Sequence, residues 1–151
     1  MARQYYQGRF KPKNYKKYKG NPTQIVYRSS YELKFMKNLD DDPNVVEWQS
    51  EEMFVPYISP VDNKCHRYFV DFIYKIKINN TTHTVMAEIK PKIQTTQPKK
   101  NKNGKITKRF LNETVTFAVN EAKWKAAREY CADRNWTFKI ITEKELNIIN
   151  G

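Results

Sequence analysis

The sequence predicts an α/β fold: a mixed β-sheet flanked by α-helices, with a basic amino-terminal arm. Three observations lead there. Short runs rich in β-branched and aromatic residues are interleaved with two runs of helical period, in the order helix, strands, hairpin, helix, strand. The last helical run lies between two strand-like runs, which calls for a right-handed crossover joining the last two strands. At 151 residues, with 39% hydrophobic and 14% aromatic residues, the chain holds enough apolar surface for a single-domain core without disulfide staples.

Taken in order, residues 1–26 form the arm, because Gly8, Pro12, Gly20 and Pro22 interrupt any helix. Residues 27–151 form a single domain. Ser29-Ser30-Tyr31-Glu32 supplies an N-cap and a capping-box glutamate, and Phe35, Met36 and Leu39 follow at helical spacing. Asp40-Asp41-Asp42-Pro43 ends this helix, although three acids at a carboxyl end oppose the helix dipole. Residues 45–48 and 53–58 read as strands, with Pro56 marking an edge or a bulge. Residues 67–78 are the strongest strand, turning tightly at Asn79-Asn80 into a strand over 82–89. Residues 91–110 are basic and polar and contain Pro91, Pro98 and Gly104, as a functional loop or a long hairpin does. Val119, Trp124, Ala127 and Cys131 then keep a helical period over 115–134. A strand follows over 136–141, and a second capping box, Thr142-Glu143-Lys144-Glu145, opens a brief terminal helix.

Charge is concentrated. The chain carries 28 Lys+Arg against 16 Asp+Glu, a net +12. Arg3, Arg9, Lys11, Lys13, Lys16, Lys17, Lys19 and Arg28 fall in the first 31 residues, which contain no acid. Lys90, Lys92, Lys99, Lys100, Lys102, Lys105, Lys108 and Arg109 form a second acid-free run between Glu88 and Glu113. Local cation excess of this kind suits a phosphate backbone, because each neutralised phosphate releases condensed counterions. In the first run Tyr5, Tyr6, Phe10, Tyr15 and Tyr18 alternate with the cations as rings that can lie on sugars or bases. Nucleic acid is therefore the expected partner, read as double-stranded DNA; a solvated, solubilising arm is the plainer alternative. A membrane is not expected, since neither run has an apolar helical stripe and no apolar stretch reaches bilayer-spanning length. The opening residues lack a secretory apolar segment. Cys65 and Cys131 make neither a zinc pattern nor a disulfide framework, which suits a reducing compartment. No glycine-rich phosphate loop supports nucleotide hydrolysis.

Three acids stand where solubility does not explain them. Asp71 lies among Tyr68, Phe69, Val70, Phe72 and Ile73, and a bare carboxylate in such a strand is costly unless paired or bound to a cation. Glu88 ends the next strand, and two-residue alternation puts Lys90 on its face. Glu32 precedes Phe35, Met36 and Leu39 by three, four and seven residues, so it sits on the apolar stripe. Two carboxylates at neighbouring strand ends suit Mg2+, with Mn2+ as a substitute, and a nearby lysine neutralises a phosphate under attack. The competing roles are structural: a capping-box partner for Glu32, an ion pair of Asp71 with Arg67 or Lys75, and a salt bridge between Glu88 and Lys90. Glu51 and Glu52 read as solvated.

Val70-Asp71 followed by Glu88-Ile89-Lys90 resembles the PD-(D/E)xK core of restriction-endonuclease-like nucleases, with Val70 in the place usually held by proline. Tyr27-Arg28-Ser29-Ser30-Tyr31-Glu32, Val46-Glu47-Trp48-Gln49-Ser50-Glu51-Glu52, Arg67 to Phe72, and Glu88-Ile89-Lys90-Pro91-Lys92 extend the likeness over residues 27–142. The text is similar to the catalytic domain of the endonuclease subunit of heteromeric transposases and to the head-completion nucleases of tailed phages. That resemblance implies a Mg2+-dependent DNA endonuclease acting on packaged genome ends before tail joining. It implies head, portal or neck proteins as partners, in the virion head or the host cytoplasm during assembly. By the same resemblance Asp71, Glu88 and the Ile89 carbonyl are metal ligands, Lys90 is the catalytic lysine, and Glu32 completes the site. Lys92 and Gln94 fall near the scissile phosphate, and Asn120 and Lys123 lie further out. Arg9, Lys11, Lys13, Lys16, Lys17, Arg28, Lys99, Lys100 and Lys102 complete the expected DNA contacts. The alternatives are a non-enzymatic DNA-binding head-closure protein with the same fold, and a transposase or resolvase subunit.

Overall fold

The structure, a computed structural model, describes residues 7–150. Arg3, Tyr5 and Tyr6, read as part of the cation-aromatic run, lie outside the described residues. The elements in chain order are β1 (Gly8–Arg9), β2 (Val26–Tyr27), α1 (Ser30–Asp41), β3 (Val45–Ser50), β4 (Phe54–Ile58), β5 (Cys65–Phe69), β6 (Phe72–Ile78), β7 (Thr81–Ile89), α2 (Lys108–Asp133), β8 (Thr137–Ile141) and α3 (Glu143–Asn150). Short 3-10 turns occupy Tyr15–Lys17 and Lys92–Thr95.

The central sheet has the order β3-β6-β7-β8. β3, β6 and β7 pair antiparallel, while β7 and β8 pair parallel with α2 as their connection. Asn79 and Asn80, both at positive φ (51° and 64°), close the β6–β7 hairpin at the predicted turn. Two-residue alternation sends Phe72, Tyr74, Val85, Ala87 and Ile89 to a core shared with α1 and with Leu146 of α3. It sends Ile73 and Met86 to a second core with Trp124, Ala127 and Cys131 of α2 and with Val55, Tyr57 and Tyr68. Glu88 has the parity of Met86, so it faces the second core. Among the described residues no helix is long and apolar enough to cross a membrane.

The expected continuous strand over 67–78 is broken at Val70-Asp71. β5 pairs with β4 in a separate two-stranded ribbon, and β6 enters the central sheet. Local bonds hold the break: Val70 N–H donates to the Met53 carbonyl (3.3 Å), and Glu51 N–H donates to the Asp71 carbonyl (3.2 Å). Asp71 therefore sits at a junction between two sheets, not in mid-strand. The second helix also departs from expectation. It starts at Lys108, seven residues before the expected 115, because the Thr107 side chain accepts the Phe110 N–H at 3.0 Å as an N-cap. Its first turns are exposed, so they carry no apolar period for a sequence reading to detect.

Residues 7–26, the described part of the arm, lie against the domain. β1 pairs with β2, and Phe10, Tyr18 and Ile25 are buried in the α1-side core. The rings of Phe10 and Tyr18 meet Trp48 edge-on at 5.9 and 4.7 Å, so they are core aromatics and not platforms for bases. Lys17 also needs correcting as a DNA contact. Its ammonium donates to the carbonyl oxygens of Leu39, Asp40 and Asp42 at 2.8, 2.9 and 2.8 Å. The unfavourable acidic end of α1 is thereby resolved: a lysine from a distant segment caps the helix, and buried Asp40 accepts the Lys13 and Asn14 N–H groups. Lys17→Met is expected to lower stability by about 1–3 kcal/mol in urea unfolding, with DNA affinity and its salt dependence unchanged. A reduced salt slope in that variant would return Lys17 to the DNA surface.

Candidate active site

Asp71 and Glu88 meet because the Asp71 carboxylate, at the start of β6, accepts the Ile89 N–H at 2.8 Å, which ties the sheet junction to the end of β7. Glu88 is only 6% exposed. One of its oxygens accepts a hydrogen bond from the Tyr68 hydroxyl, and Lys90 Nζ lies 3.7 Å from the other. Burial first, and then the neighbouring Glu88 charge, hold the Asp71 carboxyl well above the usual range. Burial likewise raises Glu88, against the Tyr68 hydrogen bond and the Lys90 and Lys123 charges that favour its ionised form. Burial and the Glu88 charge raise the Tyr68 phenol, so it stays a donor.

Glu32 takes the capping role and lies within electrostatic reach of the two carboxylates. Its N–H donates to Ser29 Oγ at 3.1 Å and its carboxylate accepts the Arg28 N–H at 3.1 Å, an N-terminal capping arrangement. Its charge also acts on Asp71 and Glu88, and burial raises its pKa. Arg28 pairs with Glu51, and the guanidinium feels Glu32 and Asp71 as well. Lys123 of α2 sits 5.7 Å from the Tyr68 ring and 5.9 Å from that of Tyr57. The structure thus gathers Asp71, Glu88 and Lys90 closely and places Glu32, Arg28 and Lys123 within electrostatic reach.

Other expected residues lie further off. Lys92 donates its N–H to Glu143, and its ammonium stands beside that of Lys144, which lowers its pKa. Gln94 faces a separate cavity along α2. Arg9, Lys11, Lys13, Lys16, Lys99, Lys100 and Lys102 are exposed. Tyr68 and Glu51 were not singled out as partners of the site. Tyr68 carried no signal separating it from other strand aromatics, whereas Glu51, read as solvated, has a left-handed backbone (φ 52°) that only coordinates show.

The donor set fits a divalent cation. Two carboxyls are crowded under conditions that penalise their charge, and Asp71 Oδ1 accepts no hydrogen bond from the described residues. A bound cation removes both penalties. Among the described residues no three Asp, Glu, His or Cys side chains gather as a metal site, so the candidate ligands are two carboxylates. A Mg2+ ion held by them would keep water in most of its remaining positions.

A family model described as "TnsA-like endonuclease N terminal" matches residues 42–143, a span that contains Asp71, Glu88 and Lys90. The chain is 38% identical over 146 residues, covering 95% of each sequence, to the "Head completion nuclease" of Enterobacteria phage T4. No solved structure matches it. With a mixed sheet flanked by helices and this match over most of its length, the chain belongs to the TnsA-like endonuclease family and has its restriction-endonuclease-like α/β fold.

Proposed function

We propose that the protein is a Mg2+-dependent DNA endonuclease of a tailed phage that acts in head completion on the ends of packaged genomes. The observation that carries this reading is the Asp71–Glu88 carboxylate pair, joined through Ile89 N–H, with the Lys90 ammonium 3.7 Å from Glu88. Asp71, Glu88 and the Ile89 carbonyl hold the cation. Once bound, Mg2+ (or Mn2+) supplies Lewis acidity at the phosphoryl group. Lys90 orients the attacking water and neutralises charge that develops on the phosphate oxygens. Glu32, fixed by the α1 cap, deepens the negative potential that draws in the cation. The Tyr68 hydroxyl holds Glu88 in one orientation, and Lys123 stands over the Tyr68 ring. The exposed cations Arg9, Lys11, Lys13 and Lys16, with Lys92, Lys99, Lys100 and Lys102, grip the duplex on both sides of the cut, and Arg28 stands at the edge of the site. Head, portal or neck proteins bring the enzyme to its substrate, in the head or in the host cytoplasm during assembly.

Purified protein with Mg2+ or Mn2+ is expected to nick or linearise plasmid DNA, and chelation is expected to stop it. Protein that binds DNA but never cuts under either metal would favour a DNA-binding head-closure protein, and cutting that requires a second subunit would favour a transposase-like one. Joint Lys99→Glu, Lys100→Glu and Lys102→Glu substitution is expected to weaken binding and reduce the slope of log affinity against log salt by about 3. An unchanged slope would remove that loop from the interface.

A further inference from the structure

We infer that the cavity between the Lys92–Thr95 turn and α2 receives an unpaired DNA base beside the cut. The inference rests on the endonuclease reading and narrows its substrate class to DNA carrying a displaced or unpaired nucleotide. The cavity measures about 420 Å3 and is walled by Ile93 and Gln94 on one side and Asn112, Thr116, Phe117 and Asn120 on the other. That size falls within the range of small-molecule sites, about 300–1,000 Å3.

Its chemistry selects a base over a phosphate. Asn120 is 7% exposed and lines the cavity. An incoming group with paired donors and acceptors matches its amide. Gln94 and Asn112 add two further amides, the side-chain type that matches base edges with two parallel hydrogen bonds. Phe117 supplies a ring for stacking, and Ile93, 82% exposed, an aliphatic wall. The cation on this wall, Arg109, is paired with Glu113 at 2.7 Å, so an acid stands beside it where a phosphate would have to approach. Free cations lie instead on the adjoining loop, at Lys99, Lys100 and Lys102, where a backbone would run. The cavity is linked to the carboxylate pair along the chain: Gln94 is four residues beyond Lys90, and Asn120 is one helical turn before Lys123, whose ammonium lies over the ring of Tyr68, the hydrogen-bond donor to Glu88.

The test is equilibrium binding in chelator, so it does not depend on cleavage. Two short duplexes are compared, one fully paired and one carrying a single unpaired 2-aminopurine. Wild-type protein is expected to bind the unpaired probe about tenfold more tightly, and to shield its 2-aminopurine from acrylamide quenching. Thr116→Trp, which fills the cavity, and Phe117→Ala, which removes the ring, are each expected to cancel that preference while leaving affinity for the paired duplex unchanged. Two variants guard against one failing to fold, as judged by thermal melts. Equal affinity for the two probes, a preference that survives in the folded variants, or a base left open to acrylamide would overturn the pocket while the endonuclease reading stands. Failure to bind either probe would overturn both.

Discussion

Asp71→Asn is expected to reduce DNA cleavage by on the order of a thousandfold, because losing the proposed cation ligand forfeits several kcal/mol of charge stabilisation and each tenfold in rate is about 1.36 kcal/mol. DNA binding should persist, since it rests on the exposed cations. The amide oxygen can still accept the Ile89 N–H, so the junction between β5 and β6 should be retained. The same substitution is expected to raise the stability of the metal-free protein. Burial, followed by the Glu88 charge, raises the Asp71 carboxyl in the folded state. Folded protein therefore binds that proton more tightly than unfolded protein does, and the favourable contribution is lost as pH rises through the raised value. Metal-free wild type should thus lose stability from mildly acidic to neutral pH more steeply than Asp71→Asn, and added Mg2+ should restore wild type alone. Thermal melts across pH, with and without Mg2+, measure this. Parallel curves for the two proteins would mean that the carboxyl is not strained by its surroundings.

The largest loss of stability is expected at Trp48. Trp48→Ala should cost about 3–4 kcal/mol and lower the melting temperature by roughly 10 °C. The ring is fully buried where β3, the amino-terminal segment and β6 meet, with Phe10, Tyr18 and Phe72 around it at 5.9, 4.7 and 6.4 Å. Its Nε1 is buried without a hydrogen-bond partner among the described residues, and removing that donor offsets part of the loss. Trp48→Phe, which keeps an aromatic surface and deletes the orphaned donor, should therefore cost less than about 1.5 kcal/mol. Because Phe10 and Tyr18 rest on this ring, Trp48→Ala should also expose the segment after Gly8 to limited proteolysis earlier than the rest of the chain. An alanine variant with wild-type protease resistance would show that the segment is held elsewhere.

Asp71 and Glu88 stood out in the sequence because bare carboxylates among apolar neighbours need a reason, and Lys90 because strand parity fixes its face. The Asn79-Asn80 hairpin was legible because both residues tolerate the left-handed region it requires. The break at Val70-Asp71 was not. β-branched and aromatic residues run straight across it, and only tertiary bonds to Met53 and Glu51 divide the two sheets. Phe10, Tyr18 and Lys17 misled for a related reason. Cations alternating with rings look the same whether they meet a phosphate backbone or the end of a helix, and the partners of Lys17 lie more than twenty residues away. Thr107 went unread as a cap because the turns it starts face solvent, where no apolar period marks a helix. Glu32 was ambiguous in the sequence between cap and site; the structure shows the cap and sets its charge within reach of Asp71 and Glu88.

Crystals soaked in Mn2+ and measured for anomalous scattering test the central claim most directly. One peak is expected between the carboxylates of Asp71 and Glu88, about 2.1 Å from an oxygen of each, and its loss in Asp71→Asn. Density for both side chains with no Mn2+ between them, or a Mn2+ site bound elsewhere and untouched by that substitution, would contradict it.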